Sequence, residues 1–238
     1  MDAADKRAPV CVIAGAGPGN GAAFARRFAG AGYRVALLAR DRARLEPLAV
    51  AAGDAHAFAC DLSDAASVAQ ALATVRAELG PVEVLLYNAG GGQWGDVDDT
   101  SAETLTAAWQ VNTLGLLLCA QAVLPDLRAR SGGAIIVTGA TASLRGGANF
   151  TAFASAKAAQ RSLAQSMARR LGAENIHVAL VIVDGVIDTP RTRERMPDRA
   201  DADFMRADDI AEAVYFLAHQ PRSAWTFELD LRPAGERW

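Results

Sequence analysis

Short apolar runs alternate with longer amphipathic ones along this chain. Val10–Ala14 reads VCVIA and Val82–Tyr87 reads VEVLLY, each with the length and character of a buried strand. Arg34–Ala39 and residues 55–60, 135–138, 177–183 and 225–231 have the same character. Between them, apolar positions recur at helical spacing in residues 22–31, 42–52, 102–111, 114–130, 150–171 and 210–218. After residue 60, Val68, Leu72, Val75 and Leu79 follow the same helical rhythm. Strands alternating with helices, and strands apolar throughout, predict an α/β fold with a parallel sheet covered on both faces. Right-handed crossovers then make it a doubly wound, Rossmann-like sheet. No domain boundary is visible in residues 1–238, and the polar stretch 189–208 reads as an insertion within one domain.

Composition narrows the partners. A formal net charge of -3 and a pI near 5.6 argue against nucleic acid or an anionic membrane as the main partner. The N-terminal MDAADKRAP has no apolar stretch of the kind a signal peptide needs. The longest apolar run, residues 114–120, is too short to span a bilayer. Cys11, Cys60 and Cys119 lack metal-ligand spacing and read as buried free thiols in a reducing cytoplasm. His56, His177 and His219 show no partner spacing and read as structural.

The first strand leads into Ala14-Gly15-Ala16-Gly17-Pro18-Gly19-Asn20-Gly21 and then a helix. Glycines permit a tight turn and let backbone N–H groups approach a pyrophosphate, and the helix N-terminus adds partial positive charge. The second strand ends Leu38-Ala39-Arg40-Asp41. An acid at this strand end would take a ribose 2′-hydroxyl, and an arginine would accept a 2′-phosphate. Ala39 with Arg40 after it favours NADP(H); Asp41, one step on, leaves NAD(H) as the alternative. Asp61-Leu62 closes the third strand, where the aspartate suits an adenine amino group, or, with Ser63, a helix cap.

Taken together, Ala14 to Gly21, Asp61-Leu62, Tyr87-Asn88-Ala89-Gly90, Asn112 and Phe153 to Lys157 occur in the order and at the separations of TGxxxGxG, DL, NNAG, a lone Asn and YxxxK. Over nearly its whole length this chain resembles the short-chain dehydrogenases/reductases. The resemblance implies a seven-stranded Rossmann-like domain, a homodimer or homotetramer built through the helices around residues 114–130 and 153–171, and oxidoreductase chemistry on a small molecule. It assigns cofactor contacts to Gly15, Gly17, Gly19, Asn20, Gly21, Asp61, Leu62, Asn88, Ala89, Gly90, Lys157, Gly185 and Thr189, beside the Arg40 already read.

The family's reacting groups are Asn, Ser, Tyr and Lys. Asn112 and Lys157 match two of them. Phe153 stands where the tyrosine is expected, and Ala140 where the serine is expected. Asp184 stands before Gly185, where the family commonly has proline, and the usual C-terminal glycine pair is replaced by residues 232–238. A positioned acid is typically worth about 10²–10⁴-fold in rate, and oxyanion donors a comparable factor. Ordinary ketone reduction should therefore be nearly silent. Lys157 is expected mainly to hold a cofactor ribose, a role that survives without the tyrosine. Thr141, Ser143 and Ser155 are the nearest replacement hydroxyls, with Ser143 placed to fold back towards a nicotinamide. Tyr87 matches the adenosine half and is not expected to be catalytic. Trp94 is a candidate for the pocket or for core or interface packing, and the arginines of the 189–208 insertion are candidates for a lid that selects an anion or for a plain solvated loop. The alternative to an enzyme is a non-catalytic dinucleotide-binding protein, acting as a sensor or partner subunit.

Overall fold

Apolar runs become strands that are buried on both sides. β1 (Val10–Ala14) is buried at every position, with Val10, Val12 and Ala14 in one core layer and Cys11 and Ile13 in the other. A side-chain period of two sends neighbours to opposite faces, so a strand with no polar member needs a layer on each side. The computed structural model describes residues 8–91 and 94–236. Residues 1–7 of the N-terminal stretch, Gly92 and Gln93, and the last two residues of the C-terminal run lie outside the described residues.

In chain order the elements after β1 are α1 (Asn20–Ala29), β2 (Arg34–Ala39), α2 (Glu46–Ala52), β3 (Ala55–Ala59), α3 (Ala65–Glu78) and β4 (Val82–Tyr87). There follow α4 (Ala102–Trp109), α5 (Gly115–Ala129), β5 (Gly133–Ala140), α6 (Thr151–Leu171), β6 (Ile176–Val183) and β7 (Val186–Ile187). The chain then forms α7 (Pro190–Arg195), β8 (Phe204–Met205), α8 (Ala207–Ala218) and β9 (Glu228–Leu231). The seven-stranded sheet runs β3-β2-β1-β4-β5-β6-β9, parallel throughout. One core layer holds Leu72, Leu116, Val123 and Leu171 beneath α3, α5 and α6. The other holds Phe24, Phe28, Leu45 and Val214 beneath α1, α2 and α8. Strand order reverses between β1 and β4, and the crevice beyond the carboxyl ends of those strands is where an open α/β sheet receives a ligand.

Three expectations need correcting. The helices expected at 102–111 and 114–130 are one continuous helix, Ala102–Ala129, with a π-turn at Gln110–Leu114 in place of a break. The wider turn frees backbone carbonyls, and the buried Tyr87 hydroxyl donates to that of Val111. At 28 residues this helix is long and apolar enough to cross a membrane, but Leu116, Cys119, Ala120, Val123 and Leu127 are buried in the core against the sheet. The last strand begins at Glu228, not Trp225, because the Trp225 ring stacks flat on His177 at 4.7 Å and its N–H donates to the Gln220 carbonyl. The polar insertion contains α7, and β7 pairs with β8 across it, so its two ends are tied together.

Candidate functional site

A cleft of about 400 Å³ opens at the β1/β4 switch. Gly15, Gly17, Gly19, Asn20 and Gly21 line one wall; Arg40, Asp61 and Leu62 line the next; Asn88, Ala89 and Gly90 close the third. The glycine turn is shaped by its neighbours. Gly15 has φ +85°, and a side chain there would also run into Ala89, whose Cβ lies 2.6 Å from where the new carbon would sit. Only glycine satisfies both constraints. Gly17 has open space in front of it, which leaves room for a ligand. Asn88 staples the two strand ends: its N–H donates to the Ala14 carbonyl, and its Nδ2 to the Gly15 carbonyl, each at 2.8 Å. Helix α1 begins at Asn20, with Gly19 as its N-cap and no side chain capping its first N–H groups, so the helix end offers free donors and partial positive charge to the cleft.

At the cleft's outer end, β2 delivers Arg40, which is exposed and forms no ion pair among the described residues. Asp41 turns away: its carboxylate accepts from the Ala43 N–H and pairs with Arg44 at 3.0 Å. Asp61 accepts from the Ser63 N–H at 2.9 Å and the Ser63 hydroxyl at 2.6 Å. Those two bonds, the hydroxyl's first, hold the Asp61 carboxyl below its ordinary value, with Arg40 adding a smaller effect. The following helix is capped by Asp64, which accepts from Ala66 N–H, rather than by Asp61 or Ser63.

At the inner end, the π-turn and α6 bring Asn112 and Lys157 to Gly90. Asn112 is fully buried, and its Nδ2 donates to the Ala108 carbonyl at 2.8 Å. A carbon placed on Gly90 would sit 3.4 Å from Asn112 Oδ1 and 3.5 Å from Lys157 Nζ. Lys157 Nζ donates to the Thr138 carbonyl at 2.8 Å and to Gln160 Oε1 at 3.0 Å. Burial pushes its pKa from 10.5 down to about 7, because the charged form loses its water. Phe153, one turn earlier, is half-buried, its ring centre 6.0 Å from Nζ. It offers no proton.

None of the three nearby hydroxyls stands idle. Ser143 is buried, outside the residues lining the cleft, and its Oγ accepts from the Ala140 N–H at 3.1 Å, closing the turn after β5. Thr141 donates to the Asp184 carboxylate, and Ser155 to the Ala152 carbonyl at 3.0 Å. Asp184 is buried, with Arg145 and Arg232 nitrogens at 3.9 and 3.8 Å from Oδ2. An aspartate where proline is common in the family thus joins the loop after β5 to the segment after β9. Gly185 sits apart from the cleft: a side chain there would strike Pro233 and Met205. Thr189 caps α7, and its Cγ2 is 3.0 Å from where a Gly19 side chain would begin, so the insertion abuts the glycine turn.

Aromatic rings run outward from Phe153. Trp94 is 62% exposed and packs edge-on against Phe150 at 5.3 Å, and Phe150 lies 6.5 Å from Phe153. Arg195 of α7 lies 5.9 Å over the Trp94 ring. Other insertion arginines serve the insertion itself. Arg193 pairs with Asp188 and Asp201 and covers Phe204 from 4.0 Å, while Arg199 bonds the Asp203 carbonyl.

The residues fit a dinucleotide. Two buried side-chain oxygens lack a hydrogen-bond partner among the described residues, Asn20 Oδ1 and Asn112 Oδ1; Asn20 lines the cleft and Asn112 borders it at Gly90. An unpaired buried acceptor beside a lysine N–H is what a ligand hydroxyl requires. Sequence reasoning missed Gln160 and Val111. Gln160 lies on the helical face shared with Lys157 three residues earlier, a signal that a buried-face reading of α6 hides; Val111 had none, because the π-turn was not foreseen.

The comparisons agree with this geometry. Inactive 2-(S)-hydroxypropyl-CoM dehydrogenase 2 of Xanthobacter autotrophicus is 34% identical over 208 residues, 82% of this chain and 90% of that protein. A short-chain dehydrogenase structure from Rhodopseudomonas palustris superposes with a TM-score of 0.81 at 34% identity, over 94% of this chain and 98% of that one. A metagenomic short-chain oxidoreductase in complex with NADP gives 0.81 at 31% identity, over 95% and 97%. The short chain dehydrogenase family model matches residues 9–200, and with the sheet order, the glycine turn and the Asn112–Lys157 pair it makes this chain a member of the short-chain dehydrogenase family.

Proposed function

We propose that this chain is an NADP(H)-dependent oxidoreductase that acts on a small molecule through a site without the usual hydroxyl pair. The observation that carries the nucleotide preference is the divergence of Arg40 and Asp41. Arg40 lines the cleft without an ion pair among the described residues, and Asp41 is occupied with Ala43 and Arg44. A guanidinium at that edge suits a 2′-phosphate, and an engaged carboxylate does not serve a 2′-hydroxyl. The related metagenomic oxidoreductase with bound NADP supports the same reading.

In this reading Gly15, Gly17, Gly19, Asn20 and Gly21 receive the pyrophosphate, Asp61 and Leu62 the adenine, and Asn88, Ala89, Gly90 and Lys157 the nicotinamide ribose. The nucleotide supplies or accepts a hydride when bound. The protein's own part is to orient, exclude water and manage a proton. With Phe153 and Ala140 in place, no side-chain hydroxyl is offered to a carbonyl oxygen at the usual positions. Suitable substrates therefore carry their own acid or an activated C=C or C=N bond. Phe153, Phe150 and Trp94 make the approach apolar, which suits an apolar reacting end.

A second reading is a dinucleotide-binding protein without catalysis. Phe153 and Ala140 favour it, as does the relative named inactive. Titrating the protein with NADPH and NADH by nicotinamide fluorescence tests the shared core. NADPH is expected to bind at least about ten-fold tighter, the size of one charge-assisted contact. Binding of neither nucleotide would refute both readings. Turnover of activated C=C, C=N or C=O compounds then separates enzyme from binder.

We read the whole chain as one functional domain, acting in the cytoplasm as a homodimer or homotetramer. The outer apolar residues of the long helix, Leu105 and Trp109, are exposed, which supports assembly through it.

A further inference from the structure

Gln160 lies one turn beyond Lys157 on α6 and is fully buried. Its Nε2 donates to the backbone carbonyl of Asn112 at 2.7 Å, and its Oε1 accepts from Lys157 Nζ at 3.0 Å. The amide cannot be reversed, since reversal would set NH₂ against the lysine head and C=O against C=O. An amide in this place carries a desolvation cost that an aliphatic side chain would not, unless both its ends are bonded. Both are, and the two bonds end on the two elements that meet at Gly90.

We infer that Gln160 is a positioning residue: it ties Lys157 to the Asn112 carbonyl of the π-turn and, with the Thr138 carbonyl, leaves one direction on the lysine nitrogen for the cleft at Gly90. A neutral amine has two hydrogens. Thr138 and Gln160 take both, which turns its lone pair towards the remaining direction. The ammonium form presents its third N–H along the same line. Either form can meet a ligand hydroxyl there, one as acceptor and the other as donor, beside the unpaired Asn112 Oδ1. With Phe153 in the tyrosine's place, Lys157 becomes the proton-exchanging group nearest the nicotinamide end.

The surroundings leave this lysine to solvation and to Gln160. Burial alone lowers its pKa to about 7, with no charged neighbour contributing. Charged groups on α6 and the elements packed against it are engaged elsewhere or, like Arg169, exposed to solvent. Arg161 pairs with Glu228 of β9, Glu174 with Arg128 and Arg170, and Asp184 with Thr141 and Arg145. His177 of β6 bonds the Leu217 and Thr226 carbonyls, and Glu103 of α4 stays at its helix start near Ser101.

The test needs no nucleotide for its main arm. The chain has two lysines, Lys6 and Lys157. Protein labelled with ¹³C at lysine Cε therefore gives two resonances, assigned with Lys157→Arg and titrated against pH. Gln160→Glu sets a carboxylate beside Nζ and should raise the Lys157 midpoint by about one to three units. Gln160→Leu removes the acceptor and should lower the midpoint and weaken NADPH binding about ten-fold. An unchanged midpoint in folded Gln160→Glu overturns the inference, and that variant suffices if Gln160→Leu does not fold. The inference rests on the nucleotide reading only for its binding arm. Midpoints that move in a protein that binds no NADPH uphold Gln160 and defeat the nucleotide reading. Fixed midpoints in a protein that binds NADPH do the reverse.

Discussion

The two halves of the cleft differ in what they are made of. The outer half, from the glycine turn to Asp61, is built largely from backbone: Gly15 against Ala89, Asn88 stapling β4 to the Ala14 and Gly15 carbonyls, and an uncapped α1 end. The inner half depends on particular side-chain atoms, and there Ala140 and Phe153 carry none that donate a proton. Binding a phosphate needs N–H groups, which every residue but proline supplies once the turn is correct. Protonating an alkoxide needs one acidic group at one place. A chain can thus keep the first function while losing or changing the second.

The sharpest way to break the comparison is to restore the inner half. Phe153→Tyr with Ala140→Ser should raise reduction of simple ketones by about 10²-fold or more, read as NADPH oxidation, with little change in NADPH affinity. No gain would mean that Asp184 or the approach, not the missing hydroxyls, closes the site to ketones. The outer half is broken at its tightest point by Gly15→Val. Positive φ and collision with Ala89 should cost at least about 2–3 kcal/mol, seen as a lower Tm and loss of nucleotide binding. A smaller change sharpens the preference: Arg40→Ala should weaken NADPH binding about ten- to a hundred-fold and leave NADH nearly unchanged, by fluorescence titration.

Lys157 gives a pH signature for the inner half. Its folded pKa, about 7, lies below the ordinary 10.5. Between those values the unfolded chain binds a proton that the folded chain does not, so this group's contribution to stability rises with pH across the window and is level below it. The buried cysteines and Tyr33, shifted upward, act oppositely above their ordinary values, so the comparison is between proteins. From pH 7 to 9, wild type should gain on the order of 2 kcal/mol relative to Lys157→Met in urea unfolding. The smallest expected effect is at the mouth. Trp94→Ala removes an exposed ring from Phe150 and Arg195 and should change stability by less than about 1 kcal/mol.

Strand runs such as VCVIA and VEVLLY declare themselves because burial on both faces leaves no polar position to confuse the pattern. Their pairing order, and the cleft it creates between β1 and β4, follow from chain-wide packing that no local run encodes. Gly15, Asn88, Asn112 and Lys157 were legible as candidates from the order of their motifs. Phe153 and Ala140 were read as departures for the same reason, since spacing marks where the resemblance would place a hydroxyl, and the Phe153→Tyr/Ala140→Ser variant tests that reading.

Tertiary structure decided what those residues touch. It joined two expected helices through a π-turn, because a carbonyl freed at Val111 found the Tyr87 hydroxyl from a distant strand. It turned Ser143 into the turn after β5 and set Thr141 on Asp184. It also chose Gln160, whose amide reads as an ordinary helix residue until Lys157 and the Asn112 carbonyl are brought to either end. Sequence determines which groups exist and how they repeat along one element. The partners of a buried polar atom come from other elements, and only packing brings those within 3 Å.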